Sequence, residues 1–284
     1  MFRTANAAEN PELFWGLKGG GPNAFAVVLS ATFKTWQDTI ASGASLYINE
    51  THTTNKTLWW EGIRIFHSYS NHFVDNGLYV YYEIHTTALH VRPFVAHGKT
   101  AAQLDAILAP MKAELIAHGV PFELTTTKQY PGFYPLYIDL FEDEGAGAYG
   151  LTGGWMFNHQ DVATNNDGII RSFKTIIDPR PDLTGVGTFM AGHMFNVGNG
   201  LPISNSATHP AWRNGSDLVV TILPVPAGAT LAQKADLQNV LTTIMDASMQ
   251  RESVSGVAYV NEVSPLPFHS VHANHVEEPM LTPS

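Results

Sequence analysis

Two short segments of this 284-residue sequence hold side chains able to accept a proton. In Gln129-Tyr130-Pro131-Gly132-Phe133-Tyr134-Pro135-Leu136-Tyr137 three phenols stand close together. In Ala191-Gly192-His193-Met194 an imidazole follows a glycine, with Asn196 shortly beyond. Tyrosine and histidine both serve as general acids or bases when a pocket brings them to a reacting group. Each segment also has a structural reading, because aromatics at this spacing fill cores and a histidine beside glycine can be a satisfied core residue. A third segment, Gly19-Gly20-Gly21, offers backbone that no side chain obstructs, either for close approach to a bound group or for a plain turn.

Other patterns exclude chemistry. His269, His272 and His275 are spaced by three rather than as the i, i+4 pair of a helical zinc site, so no metal centre is expected there. The glycine-rich stretch 145–154 has no Lys-Ser/Thr after it and reads as a loop, not a nucleotide-binding one. Ser-His-Asp catalysis has no nucleophile elbow to support it. With no cysteine in the chain, disulfides, thiolate catalysis and cysteine-ligated metals are ruled out.

The elements that must position these residues follow from periodicity. Residues 24–36 are continuously apolar and then alternate, which predicts a long strand. Leu58, Trp59, Gly62, Ile63, Phe66 and Phe73 recur at helical spacing until Asn76-Gly77, predicting a helix over about 55–75. Residues 78–96 read as two strands or a hairpin. Thr100 and Gln103 have capping-box spacing ahead of a Leu104, Ile107, Leu108, Met111, Leu115 stripe, and Gly119 follows its end. Pro110 is expected to kink or divide that helix. Strand-like runs follow at 121–127, 134–141 and 185–197, with a helix near 165–177. A strand at 216–224, a second capping box at Thr230 and Gln233, a helix to about 250 and a last strand over 257–263 complete the series. Strands in hairpin-like groups broken by single helices define an α+β class with an antiparallel sheet. The Pro- and His-rich residues 264–284 lack periodicity and read as a loose tail.

Composition bounds the partners. The formal charge is −10 and only 14% of residues are charged, against 44% hydrophobic, so much of the chain is expected to be buried and no nucleic-acid partner is expected. No apolar run reaches the roughly 20 residues of a membrane span, and no leader peptide is visible at the start. Three sequons, at Asn49, Asn55 and Asn214, would be glycan acceptors in a secretory compartment. The localisation and the oligomeric state are left open by the sequence.

The stretch Asn10-Pro11-Glu12-Leu13-Phe14-Trp15-Gly16-Leu17-Lys18-Gly19-Gly20-Gly21-Pro22-Asn23-Ala24-Phe25-Ala26-Val27-Val28 resembles a segment near the end of the FAD-binding domain in the berberine-bridge-enzyme-like oxidases. That group belongs to the vanillyl-alcohol-oxidase type, also called PCMH-type, of FAD fold. Ala26 stands where the family usually has glycine, and Pro22-Asn23 replace a glycine-rich pair. His209-Pro210-Ala211-Trp212-Arg213-Asn214 and Gly256-Val257-Ala258-Tyr259-Val260-Asn261-Glu262 resemble two further family segments, so the resemblance extends to about residue 265.

The resemblance implies residues 1–36 as the C-terminal remnant of an FAD-binding domain, 37–263 as a substrate domain with an antiparallel sheet backed by helices, and 264–284 as the tail. It implies FAD as cofactor, with Gly19, Gly20, Gly21, Phe25, Val27 and Val28 beside it, and a small-molecule substrate oxidised by hydride transfer with oxygen as acceptor. Oxidative cyclisation or desaturation of an alkaloid or polyketide in specialised metabolism fits the family, as does oxidation of an oligosaccharide. Tyr137 and His193 are the candidate catalytic bases; Pro202, Ile203, Ser204 and Asn205, where plant relatives carry a catalytic glutamate, hold no carboxylate. The family's upstream attachment-histidine segment and its returning C-terminal stretch are not among these residues. The expectation is therefore a shortened or partial oxidase with weakened flavin affinity, and the alternative is a flavin-free remnant or binding module.

Overall fold

The computed structural model describes residues 2–141, 150–183, 187–197, 202, 204 and 206–259. In chain order its elements are helices α1 (Pro11–Leu17) and α2 (Pro22–Phe25), strand β1 (Ala41–Asn49), helices α3 (Lys56–Ser68) and α4 (Ser70–Asp75), and the hairpin β2 (Leu78–Ile84) and β3 (Ala88–His97). Then come helix α5 (Ala101–Ala117), short strands β4 (Glu123–Leu124) and β5 (Lys128–Tyr130), helix α6 (Phe133–Leu140), strand β6 (Gly150–Asn158) and helix α7 (His159–Ile177). Strands β7 (Phe189–Met194) and β8 (Gly215–Pro224) precede helix α8 (Leu231–Val240), a π-helical stretch Leu241–Asp246 and helix α9 (Ala247–Glu252). The strands form one antiparallel sheet in the order β4-β1-β3-β2-β7-β8-β6, with β5 also on β1.

The period-2 pattern of β2 shows how the sheet gets two different faces. Leu78, Val80, Tyr82 and Ile84 are buried, while Tyr79, Tyr81 and Glu83 between them are half-buried. The buried face, with Phe94 of β3, packs on the helix layer, where Phe66, Phe73 and Phe173 join it in one core. Phe66 meets the Tyr82 ring edge-on at 5.2 Å and Phe94 at 6.3 Å. Helix ends are fixed locally. Asn55 caps α3 through its amide oxygen, the capping box of Thr100 and Gln103 opens α5, and Asn158 with Asp161 opens α7. Pro110 lies on the exposed side of α5, which stays a single helix.

Several expected elements take another form. The expected long strand at 24–36 is instead the short α2 followed by residues 26–40 without regular structure. Val27, Val28, Leu29, Phe33 and Trp36 are exposed, and the run pairs with none of the eight strands; an apolar run becomes a strand only beside a pairing edge. The run 134–141, expected as a strand, is α6. Its aromatics Phe133, Tyr137 and Phe141 recur every four residues, a helical stripe, and Leu136 and Leu140 pack on Gly43 of β1. Residues 150–154, expected as loop, belong to β6, in which Gly153 and Gly154 are the places where Asp246 and the β8 backbone come close. Strand β1 carried no strand signal because Ala41, Ser42, Gly43, Ala44 and Ser45 are small; small side chains are what α6 requires beneath it. Of the expected last strand the described part holds one bridge, Met156 to Val257, and residues from 260 onward, including His269, His272 and His275, lie outside the described residues.

Candidate active site on the open sheet face

Opposite the helix layer, β2, β3 and β7 present a face of polar and aromatic side chains. At its centre Tyr79 Oη and His193 Nδ1 are 2.9 Å apart. The register Tyr81↔His193 brings the second phenol alongside, with ring centroids 5.1 Å apart. Gly192 decides which way His193 points: a Cβ at Gly192 would overlap the Tyr82 ring, so that position faces the helix layer and its neighbour faces out. Tyr82 in turn passes beneath β7 and donates to Asp217 Oδ2 of β8 at 2.5 Å. His67 Nε2 lies 3.2 Å from the same oxygen. Burial first, and then the Asp217 carboxylate, hold the Tyr82 phenol well above its ordinary range. This buried link fixes β2, β7 and β8 relative to one another, and through them the spacing of Tyr79 and His193.

A fixed anion adjoins the pair. Glu83 is approached by His85 Nε2 at 2.9 Å, and receives hydrogen bonds from the Tyr81 hydroxyl at 2.8 Å and from Arg92 at 3.0 Å. The His85 hydrogen bond above all, then that of Tyr81 and the charge of Arg92, lowers its carboxyl to about 2 against the opposing effect of burial. Glu83 is thus charged at any neutral pH, and the Tyr81 proton is committed to it. Tyr79, bonded to an imidazole instead, is the phenol placed to pass a proton on.

Of the two candidate bases, His193 is within this constellation and Tyr137 stands at its edge. Tyr137 is on α6, 43% exposed, with its ring 5.1 Å from Phe141, which stacks on Tyr79 at 6.4 Å. The aromatic wall of α6 therefore leads to the Tyr79–His193 pair. Tyr134 is exposed, and Tyr130 donates to Asp139 at 2.5 Å on the surface. Tyr79, Tyr81, Glu83, His85 and Arg92 were missed as site residues; their signal is the alternation of polar and aromatic side chains along β2 and β3.

The glycine segment lies elsewhere, against residues 206–208. A Cβ at Gly19 would overlap the Thr208 hydroxyl, and one at Gly20 would lie 2.6 Å from Gly16 O and 3.0 Å from Ala207 Cβ. Only at Gly21, φ +80°, is the adjoining space open. Phe25 helps line a 590 Å³ hollow with Phe14 and Trp15, and Val27 and Val28 are exposed. Among the sequon asparagines, Asn55 and Asn214 are exposed, and Asn49 closes β1 and accepts from the Thr51 amide at 2.9 Å.

No family model matches the chain. The FAD-linked oxidoreductase ZEB1 of Gibberella zeae is 31% identical over 268 residues, 91% of this chain and 44% of that protein. The bifunctional decalin synthase calF of Penicillium decumbens is 25% identical over 270 residues, 91% of this chain and 45% of that one. Among solved structures, the VAO-type flavoprotein MtVAO615 of Myceliophthora thermophila superposes with a TM-score of 0.79 at 24% identity, covering 92% of this chain and 47% of that structure. The architecture is thus that of the vanillyl-alcohol-oxidase-type flavoproteins. The chain belongs to the FAD-linked oxidoreductases of that type, whose cofactor is FAD. It spans about half the length of the curated relatives it matches.

The residues present fit one side of a flavin site. A sheet face carrying phenols, imidazoles and the half-buried Glu83–Arg92 ion pair lies open, and an exposed, largely apolar run at 26–36 follows Gly21, which within the 19–21 segment is the glycine with free space beside it. Gly19 and Gly20 are occupied by packing within the chain.

Proposed function

We propose that this chain supplies the substrate-side face of an FAD-linked oxidase acting on a small specialised metabolite, with Tyr79 and His193 removing the proton that accompanies hydride loss. The observation that carries this reading is the 2.9 Å Tyr79–His193 contact at the centre of the open face, beside an anion and an aromatic wall. The chemistry FAD supplies when bound is acceptance of a hydride from a substrate carbon, with oxygen as the final acceptor. The chain's own residues do the rest. The rings of Phe133, Tyr137, Phe141 and Tyr79 hold a flat apolar substrate against the sheet, and Glu83 with Arg92 keeps the Tyr81 proton fixed. Tyr79 gives its hydroxyl proton to His193 Nδ1 as its oxygen takes the substrate proton, so the net proton rests on the imidazole.

The aromatic wall favours an apolar substrate such as a polyketide or alkaloid undergoing desaturation or cyclisation, consistent with a relative named as a decalin synthase, over an oligosaccharide. The test is turnover by the flavin-loaded protein. His193→Ala should lower kcat by about 10²-fold or more, the usual contribution of a positioned general base. An unchanged kcat would remove His193 from the mechanism.

A further inference from the structure

A groove runs between α3 and α7 on the other side of the sheet from Tyr79 and His193. Two adjoining hollows of 540 and 420 Å³ share Lys56, Trp60 and Lys174 as lining, a size typical of sites for small molecules. The half-buried Trp60 supplies a flat apolar surface and meets Trp59 edge-on at 4.6 Å. Lys174 Nζ lies 5.4 Å from the Trp60 ring centroid and Lys56 Nζ 4.7 Å from that of Trp59. Lys56 also donates to Thr86 O at 2.7 Å, which holds its ammonium at the mouth.

The charge pattern is unusual for this molecule. The chain has 15 Lys and Arg against 25 Asp and Glu, yet four of those cations, Lys56, Arg64, Arg171 and Lys174, line this one groove beside three carboxylates, Glu61, Asp167 and Asp178. Both arginines are already matched, Arg64 to Glu61 at 2.7 Å and Arg171 to Glu252 at 3.2 Å. Glu61 is further occupied by His118 at 2.9 Å. Among the described residues the two lysines make no ion pair; their contacts are rings and a carbonyl. The two ammoniums come from different helices, each beside its own indole, and line both hollows together with Trp60, which places a charge-assisted anchor next to a stacking platform.

We propose that this groove is a second binding site, separate from the flavin face, for a planar ring bearing a carboxylate. The ring lies on Trp60 and the carboxylate sits between Lys56 and Lys174. Binding does not depend on FAD, so the site can be tested on the chain alone.

The probes are benzoate, its neutral isostere benzamide and inorganic phosphate, titrated by calorimetry and by tryptophan fluorescence, with circular dichroism to verify folding of each variant. Expected are saturable benzoate binding, benzamide at least about tenfold weaker, a similar loss for Lys174→Gln with one charge-assisted contact removed, and loss for Trp60→Leu but retention for Trp60→Phe, which keeps the ring. Absence of saturable benzoate binding, equal affinity for benzamide, phosphate binding more tightly than benzoate, or wild-type affinity in folded Lys174→Gln and Trp60→Leu would each overturn the proposal.

Discussion

Asp246 is a carboxylate whose environment opposes its charge. It is 4% exposed, at the end of the π-helical stretch, and packs where Gly153 of β6 leaves room; a Cβ there would lie 2.6 Å from its Oδ2. Its Oδ1 has no hydrogen-bond partner among the described residues. Burial raises its carboxyl to about 7, with the Thr221 hydroxyl opposing the shift. The folded chain therefore binds a proton that the unfolded chain releases between about pH 4 and 7. The contribution of this group is complete below the unfolded value and is lost as pH rises to about 7, with a limiting slope near 1.4 kcal/mol per pH unit. Asp246→Asn should flatten that slope and raise stability at pH 8, measured by urea unfolding across the range; an unchanged slope would mean that Asp246 is solvated. At Gly192 the prediction is steric. Gly192→Ala drives a methyl into the Tyr82 ring and should cost about 1–3 kcal/mol by overpacking, read as a lower urea midpoint, whereas a neutral result would show that Tyr82 can move aside.

At the scale of elements, capping carries testable energy. Thr100 accepts from the Gln103 amide while the Gln103 side chain accepts from the Thr100 amide at 2.8 Å, so Thr100→Ala should destabilise the fold by about 1 kcal/mol. Thermal unfolding would register that as a lower Tm, and no change would mean that tertiary packing alone holds α5 in place. This helix was legible in the sequence, as were β2, β3, β8 and the helix after Thr230, because each carries its own caps, an alternating pattern or a run of apolar and β-branched residues. Strand β1 and the start of β6 were not. Their small residues are dictated by what packs on them, Leu136 and Leu140 on Gly43 and Asp246 on Gly153, and that is information held by distant parts of the chain. The aromatic run 130–141 was legible as a ring cluster but not as a helix, since prolines and β-formers masked the four-residue repeat. His193 could be singled out from its glycine neighbour. Tyr79 could not, because its partner lies 114 positions away and only strand pairing joins them.

For the whole molecule, the division is between a sheet-and-helix body beginning at Ala41 and the exposed run before it. Val27 is 85%, Phe33 81% and Trp36 78% exposed. A run this exposed and without regular secondary structure offers the accessible backbone that a protease needs. Trypsin should therefore cut first at Lys34, with the body from Ala41 onward surviving as one fragment by mass spectrometry; earlier cleavage at Lys112 or Arg171 would place the weak point inside the body instead. In the proposed function Tyr79 and His193 on the open face act as one proton-accepting unit. The direct measurement is kcat for Tyr79→Phe, His193→Ala and the double variant in flavin-loaded protein. Residues acting as a unit are non-additive, so the double variant should be no slower than the slower single one. Multiplicative losses, or single variants turning over at the wild-type rate, would contradict the account.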